Sequence, residues 1–403
     1  MHRRLTPPRP AAGRNGSAQS TTCRILHVCT RFLLGGSEQR LRDIVTALPD
    51  HEHHLVVGAE SDIELARRQL PEVEVRCEPS LRRALDPVND FVAIRRLSRI
   101  MRRGGYTAVV THQSKAGVLG RMAARSAGGV QVVHSLSMAS FGPGYQAVES
   151  GLYRFVERHL EPWTTAYAVS GSDLAERFAA IGVPRSKLSI IRSAARLPAA
   201  AATDRAALRD DLAGGIRLSA DRPWILYLGS LDERKNVLSL PVFLQQVIQL
   251  SLGPRPALVV AGTGPLRSEL TALVERVGLA DDVRFLGYVD DPSGLLAAAD
   301  ALVLLSRAEG LPQVLLQAAA VGTPFVATEV DGVDELLALG ARGTVVDQHD
   351  IVGAARAALP YLRWPTDQRG PNIDVSSWAS PLIRNLYAQL FETVLAPAAT
   401  TTP

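Results

Sequence analysis

The sequence predicts an α/β protein of two doubly wound parallel-sheet domains in tandem, facing a central cleft. Three observations predict it. Apolar runs of strand length alternate with helical stretches from about residue 24, and the alternation starts afresh near residue 223. The runs end in Gly, Ser or acidic loops, as strands feeding helices do. The length of 403 residues exceeds one domain, and charge divides with it: residues 25–221 carry a net +5 and residues 222–403 a net −6.

In order, residues 23–30 read as a strand, Gly35-Gly36 as a turn and Ser37 to about Leu48 as a helix. Residues 53–59 and 73–79 are strands, the second leading to a helix around Phe91–Arg103. Residues 106–113 form a strand feeding a helix over 115–128, and strands at 130–137 and 164–172 continue the series. The Ala-, Asp- and Arg-rich stretch 197–222 reads as a linker with a short helix. Strands then begin near residues 223, 256, 282, 299, 323 and 341, and a last helix near Ser377–Leu395 is expected to return to the first domain. The organisation is a disordered basic arm (1–23), a first domain (24–196), a linker (197–222), a second domain (223–375) and a C-terminal helix (376–396).

Composition narrows the function. Arg3, Arg4, Arg9, Arg14 and Arg24 carry the basic excess, so the folded body lacks the concentrated positive face that nucleic-acid binding needs. Three scattered cysteines, Cys23, Cys29 and Cys77, suit a reduced, cytoplasmic protein. No apolar run reaches membrane-spanning length. His51, His53 and His54 lack partners in metal-ligand register and read as a surface loop between two elements. The helix bearing Arg95, Arg96, Arg99, Arg102 and Arg103 is basic and amphipathic, suited to peripheral contact with anionic lipid.

The chemistry gathers at strand ends. Gly262-Thr263-Gly264-Pro265 follows a buried strand and precedes a helix, a geometry that serves either anion approach or tight packing. After the strand ending at Ser306, Glu309 lies in the loop and Pro312 opens a helix that Gly322 closes, so the amides of Gly310 and Leu311 are free to meet a ligand.

These segments resemble glycosyltransferase family four. The resemblance is carried by Gly35-Gly36-Ser37-Glu38, by residues 111–117 and Gly120-Arg121, and by Lys235-Asn236. It continues through Gly262-Thr263-Gly264, Phe285-Leu286-Gly287-Tyr288, Ser306 with Glu309-Gly310-Leu311-Pro312, Gly322-Thr323-Pro324 and Glu335, spanning about 24 to 395. It implies a GT-B fold of two Rossmann-like domains and a retaining, metal-independent transfer from a UDP- or GDP-sugar, with no further cofactor. The acceptor would be a glycan or lipid-linked sugar of surface polysaccharide synthesis, at the inner membrane face.

By position, the resemblance makes Lys235, Glu309 and His112 catalytic. Lys235 would neutralise the diphosphate and Glu309 would hold the transferred sugar. Donor contacts would come from Gly35, Gly36, Ser230, Arg234, Gly262, Gly264, Tyr288, Gly310, Leu311 and Gln317, and acceptor contacts from Lys115 and Ser137. Three positions depart from the family pattern: Ser230 stands for Arg, Gln317 for the second carboxylate and Ser137 for His. Arg234 could replace the missing Arg, although neighbours on an extended loop point apart, which would turn Arg234 away from the side Lys235 faces. The alternative reading is a catalytically degenerate nucleotide-sugar binder acting as a partner protein.

Overall fold

The computed structural model describes residues 22–33, 36–139, 141–142, 146–195, 205–362 and 373–396. The basic arm up to residue 21, Gly35 and linker residues 197–204 lie outside the described residues.

The first domain runs β1 (Arg24–Cys29), α1 (Gly36–Ala47), β2 (Glu52–Gly58), α2 (Ile63–Gln69), β3 (Glu74–Glu78), α3 (Pro87–Gly104), β4 (Ala108–His112), α4 (Ser114–Ala127), β5 (Gln131–Leu136), α5 (Ala147–Leu160), β6 (Ala166–Val169), α6 (Ser172–Ala180) and β7 (Leu188–Ile190). The chain continues as α7 (Arg205–Ile216), β8 (Trp224–Leu228), α8 (Leu240–Leu250), β9 (Ala257–Ala261), α9 (Arg267–Arg276), β10 (Val283–Gly287), α10 (Ser293–Ala298), β11 (Ala301–Leu304), α11 (Gln313–Ala320), β12 (Phe325–Thr328), α12 (Val333–Ala338), β13 (Gly343–Val346), α13 (Ile351–Ala358) and α14 (Ser380–Leu395).

The strands form two sheets, ordered β3-β2-β1-β4-β5-β6-β7 and β10-β9-β8-β11-β12-β13. Adjacent strands pair in parallel, with Cys29 beside His112 in the first sheet and Ile225 beside Ala301 in the second. In each sheet the winding reverses once, between β1 and β4 and between β8 and β11. A crevice opens at the carboxyl ends of such a reversal. The loops after β1, β4, β8 and β11 therefore hold the residues most able to do chemistry.

Local signals explain several element ends. Helix α3 begins earlier than its apolar pattern suggests, because Asp86 caps it, accepting from the Asn89 amide at 3.1 Å, and Pro87 suits the first turn. It stops at Gly105, whose φ of 62° glycine tolerates best. Helix α7 belongs to the second domain in packing: Arg205 and Arg209 both pair with buried Asp300, at 2.8 and 3.0 Å. The last helix returns to the first domain, where Ile383, Tyr387 and Phe391 pack with Ile25, Ile44 and Leu48 under the sheet.

His53 and His54 fall in the strand expected over 53–59, which corrects the surface-loop reading of the same pair: both lie within β2 and are buried. A strand paired on both sides hides a short polar pair that satisfies its hydrogen bonds internally, and hydropathy alone does not show this.

Candidate active site

The site is built around Glu309, in the loop between β11 and α11. Its side chain is 9% exposed, and three groups hold its two oxygens. Lys235 Nζ lies 2.6 Å from Oε1, Ser306 Oγ donates to Oε1 at 2.9 Å, and Arg234 Nη1 donates to Oε2 at 2.8 Å. Burial alone would raise the carboxyl pKa, but the Lys235 and Arg234 charges and the bonds to Glu309 outweigh it and hold the group below its ordinary value. Lys235 and Arg234 stand here against Glu309 and Asp232, whose charge also acts on Arg234, so the mouth of the second sheet is a balanced cluster with two cationic donors. Those donors suit a diphosphate.

The expectation that Arg234 and Lys235 point apart is corrected. The loop after β8 is coiled: Asp232 Oδ1 accepts from the Lys235 amide at 3.0 Å, the Asn236 amide bonds to the Glu233 carbonyl at 3.1 Å, and Asn236 is left-handed at φ 53°. A tight turn lets adjacent side chains converge where an extended loop would not. The Arg307 amide also bonds to the Arg234 carbonyl at 2.9 Å, tying together the two loops that flank the reversal. Sequence reading missed Asp232, although Asp three residues before the amide it caps is a turn signature. Ser230, standing for the family Arg, donates to Asp232 at 2.7 Å.

Gly262 and Gly264 support this loop from below. A side chain at Gly262 would stand 1.8 Å from the Gly229 carbonyl, and one at Gly264 would stand 2.4 Å from that of Leu231. Tight packing, one of the two roles expected of these glycines, is present here and places the Lys235 loop. Tyr288 is exposed and bonds to Asp290 at 3.3 Å. Gln317 lies in the second turn of α11, half-buried.

The first domain meets this cluster closely. A Cβ on Gly310 would come within 1.7 Å of the Ser137 carbonyl, which also accepts from Ser170 Oγ at 2.8 Å. Leu311 lines a recess with Ser170, Asp173 and Glu335 from both domains. Arg177 pairs with Asp331 and Arg192 with Glu335, two bridges across the cleft that the sequence did not announce. A neighbouring recess joins Met138 and Arg177 to Glu309 and Gln348.

Gly36 begins α1 and His112 ends β4, both at the first reversal. Lys115 engages its own domain, with Nζ 2.6 Å from Asp90 and bonded to the Ala84 carbonyl. Among the described residues no three His, Cys, Asp or Glu side chains form a metal-binding group.

A family model described as "Glycosyl transferase 4-like domain" matches residues 35–194, and one described as "Glycosyl transferases group 1" matches residues 222–363. The chain is 25% identical over 331 residues to an Escherichia coli protein named "UDP-Gal:alpha-D-GlcNAc-diphosphoundecaprenol alpha-1,3-galactosyltransferase", covering 81% of this chain and 85% of that one. It is 34% identical over 176 residues to the Rhizobium meliloti lipopolysaccharide core biosynthesis glycosyltransferase LpsE, covering 42% of this chain and 50% of LpsE. In structure it resembles Anabaena HepE in complex with UDP-glucose, with a TM-score of 0.66 at 18% identity over 92% of this chain and 100% of that one. WaaG, a glycosyltransferase involved in lipopolysaccharide biosynthesis, gives 0.61 at 17% identity over 93% of this chain and 100% of WaaG. With one family match on each side of the cleft, the chain belongs to the group 1 glycosyltransferases, and its two facing sheets are the GT-B fold.

Proposed function

We propose that this glycosyltransferase moves a sugar, with retention, from a UDP-sugar to a glycan or lipid-linked acceptor in the synthesis of a surface polysaccharide. The observation that carries the reading is the convergence of Lys235 and Arg234 on Glu309 at the second reversal, facing the first domain. A nucleoside diphosphate leaves readily once its charge is balanced, and preorganised donors do this without reorganising. Lys235 and Arg234 supply that charge, with Arg234 taken as the substitute for the family Arg that Ser230 replaces; the coiled loop that turns it toward Glu309 supports this. Glu309 holds the transferred sugar while the amides of Gly310 and Leu311 approach the same region. The named specificities of the relatives support UDP over GDP.

A lipid-linked acceptor fits the rim of the first domain. Leu85, Val88 and Phe91 are exposed at the start of α3, and Val148, Leu152 and Phe155 along α5. Arg95, Arg99 and Arg154 accompany them, a combination suited to an anionic bilayer. No helix among the described residues is long and apolar enough to cross a membrane.

Calorimetry with UDP, GDP and UDP-sugars tests the donor. UDP binds, and Lys235→Ala lowers kcat of transfer about 10²–10³-fold with the fold intact. No nucleotide binding, or full activity in Lys235→Ala, overturns the reading. Sedimentation with anionic and neutral vesicles tests the rim: only the anionic ones carry the protein down, and Phe155→Ser weakens this.

A further inference from the structure

Three imidazoles cross one face of the first sheet in a line. His112 Nε2 lies 3.2 Å from His27 Nδ1, His27 Nε2 lies 3.0 Å from His53 Nδ1, and His53 Nε2 lies 3.0 Å from the Leu48 carbonyl oxygen. The rings follow one another at centroid distances of 5.5 and 5.2 Å. All three side chains are buried. The line starts just beyond the C-terminal end of α1 and finishes at the carboxyl end of β4, beside the cleft.

Its far end fixes the direction of every proton. A carbonyl only accepts, so His53 carries its hydrogen on Nε2 and leaves Nδ1 bare. That bare nitrogen requires the hydrogen of His27 on Nε2, and His27 Nδ1 then requires the hydrogen of His112 on Nε2. The Leu48 carbonyl, which also accepts from the His51 amide at 3.2 Å, has a second lone pair for the ring and lies at the negative end of α1. These proton positions belong to neutral rings, and burial keeps the rings neutral. It lowers the pKa values of His27 and His53, and it brings His112 down to about 3 with help from the Arg40 charge.

We propose that His27 and His53 are positioning residues that hold His112 as its Nε2–H tautomer, so that His112 Nδ1, at the cleft edge of β4, accepts a hydrogen bond from a hydroxyl of the sugar substrate. The part concerning substrate rests on the transferase reading above. The tautomer itself does not, and it is read in the ligand-free protein.

Long-range proton–nitrogen correlation of the imidazoles in the full chain tests it, with the His112 signals identified by their loss in His112→Asn. The wild type shows His112 Nδ1 unprotonated and Nε2 protonated at pH 7.5. In His53→Phe a second population with the hydrogen on Nδ1 appears, and KM for the sugar substrate rises about tenfold, the worth of one hydrogen bond, while kcat changes less. His53→Gln, whose amide both accepts from His27 and donates to Leu48, restores tautomer and KM together. An imidazolium or an Nδ1–H tautomer in the wild type overturns the proposal, even where His53→Phe does not fold. A changed tautomer with unchanged KM also overturns it, since the line would then serve stability alone.

Discussion

Both sheets are parallel and doubly wound, yet they differ in what their strands bury. The second sheet is filled by residues such as Leu226, Val259, Leu302 and Phe325, and its buried charges stand off the strands: Asp282 and Asp300 precede them, while Lys235 and Glu309 follow them. The first sheet carries His27, His53, Thr111, His134 and Ser135 within its strands, with Arg40, Arg121 and Glu157 buried on the helices that cover it. A buried polar group must be paired, so the first domain depends on a connected set of partners. Arg40 shows the pattern, bonding to Ser135, the Ile191 carbonyl and the Ala168 carbonyl beneath Tyr387 of α14. The second domain keeps most of its buried polar groups off its strands, with Arg209 of α7 on Asp300 ahead of β11 and Lys235 and Glu309 in loops, and its strands bury few polar groups beyond Tyr227 and Thr328.

The sharpest way to break this contrast is to orphan one buried partner. Arg121 meets both oxygens of Glu157 at 2.8 Å, and Arg121→Met leaves that carboxylate buried and uncompensated. A loss of about 3–5 kcal/mol in urea unfolding is expected, largely recovered in Arg121→Met/Glu157→Leu. If the single variant unfolds like the wild type, the first domain does not depend on its polar pairs.

The contact between the domains comes next. Gly310→Ala drives a methyl group against the Ser137 carbonyl and costs the closed arrangement about 1–3 kcal/mol. Small-angle scattering should show a larger radius of gyration, with no change in Gly151→Ala, where nothing lies nearby.

Acid gives the smallest effect per group and separates the domains. The lowered pKa values of His27 and His112 mean that the unfolded chain binds more protons below about pH 6.5, the ordinary histidine value. Their stabilisation is complete above that pH. It is lost as pH falls toward the folded values, at about 1.4 kcal/mol per pH unit for each ring. Urea unfolding read by pulsed labelling of buried Cys29 should weaken between pH 7.5 and 5.5. The second domain buries no histidine among its described residues and should shift less.

The same contrast explains how much was legible beforehand. In the second domain the strands read cleanly as apolar runs, and Glu309 and Lys235 stood out in the loops beyond them. In the first, the strand over 53–59 was legible but the burial of its leading His53-His54 was not, because imidazoles paired inside a sheet carry no apolar signature. Arg234 was judged by extended geometry and found in a turn that Asp232 had coiled. Lys115 pairs with Asp90, a partner 25 positions away in sequence that no local pattern announces.

By itself the sequence determined the two α/β domains, their order and the residue types at the strand ends, because periodicity and turn chemistry act between near neighbours. Only the tertiary structure decided which of those residues meet. Lys235 and Glu309 are 74 positions apart and come together at 2.6 Å because the winding reverses between β8 and β11. His112, His27 and His53 align because β4, β1 and β2 lie side by side in an order the chain does not follow. A parallel sheet sets its neighbours by crossover, so distance along the chain carries little information about contact across it.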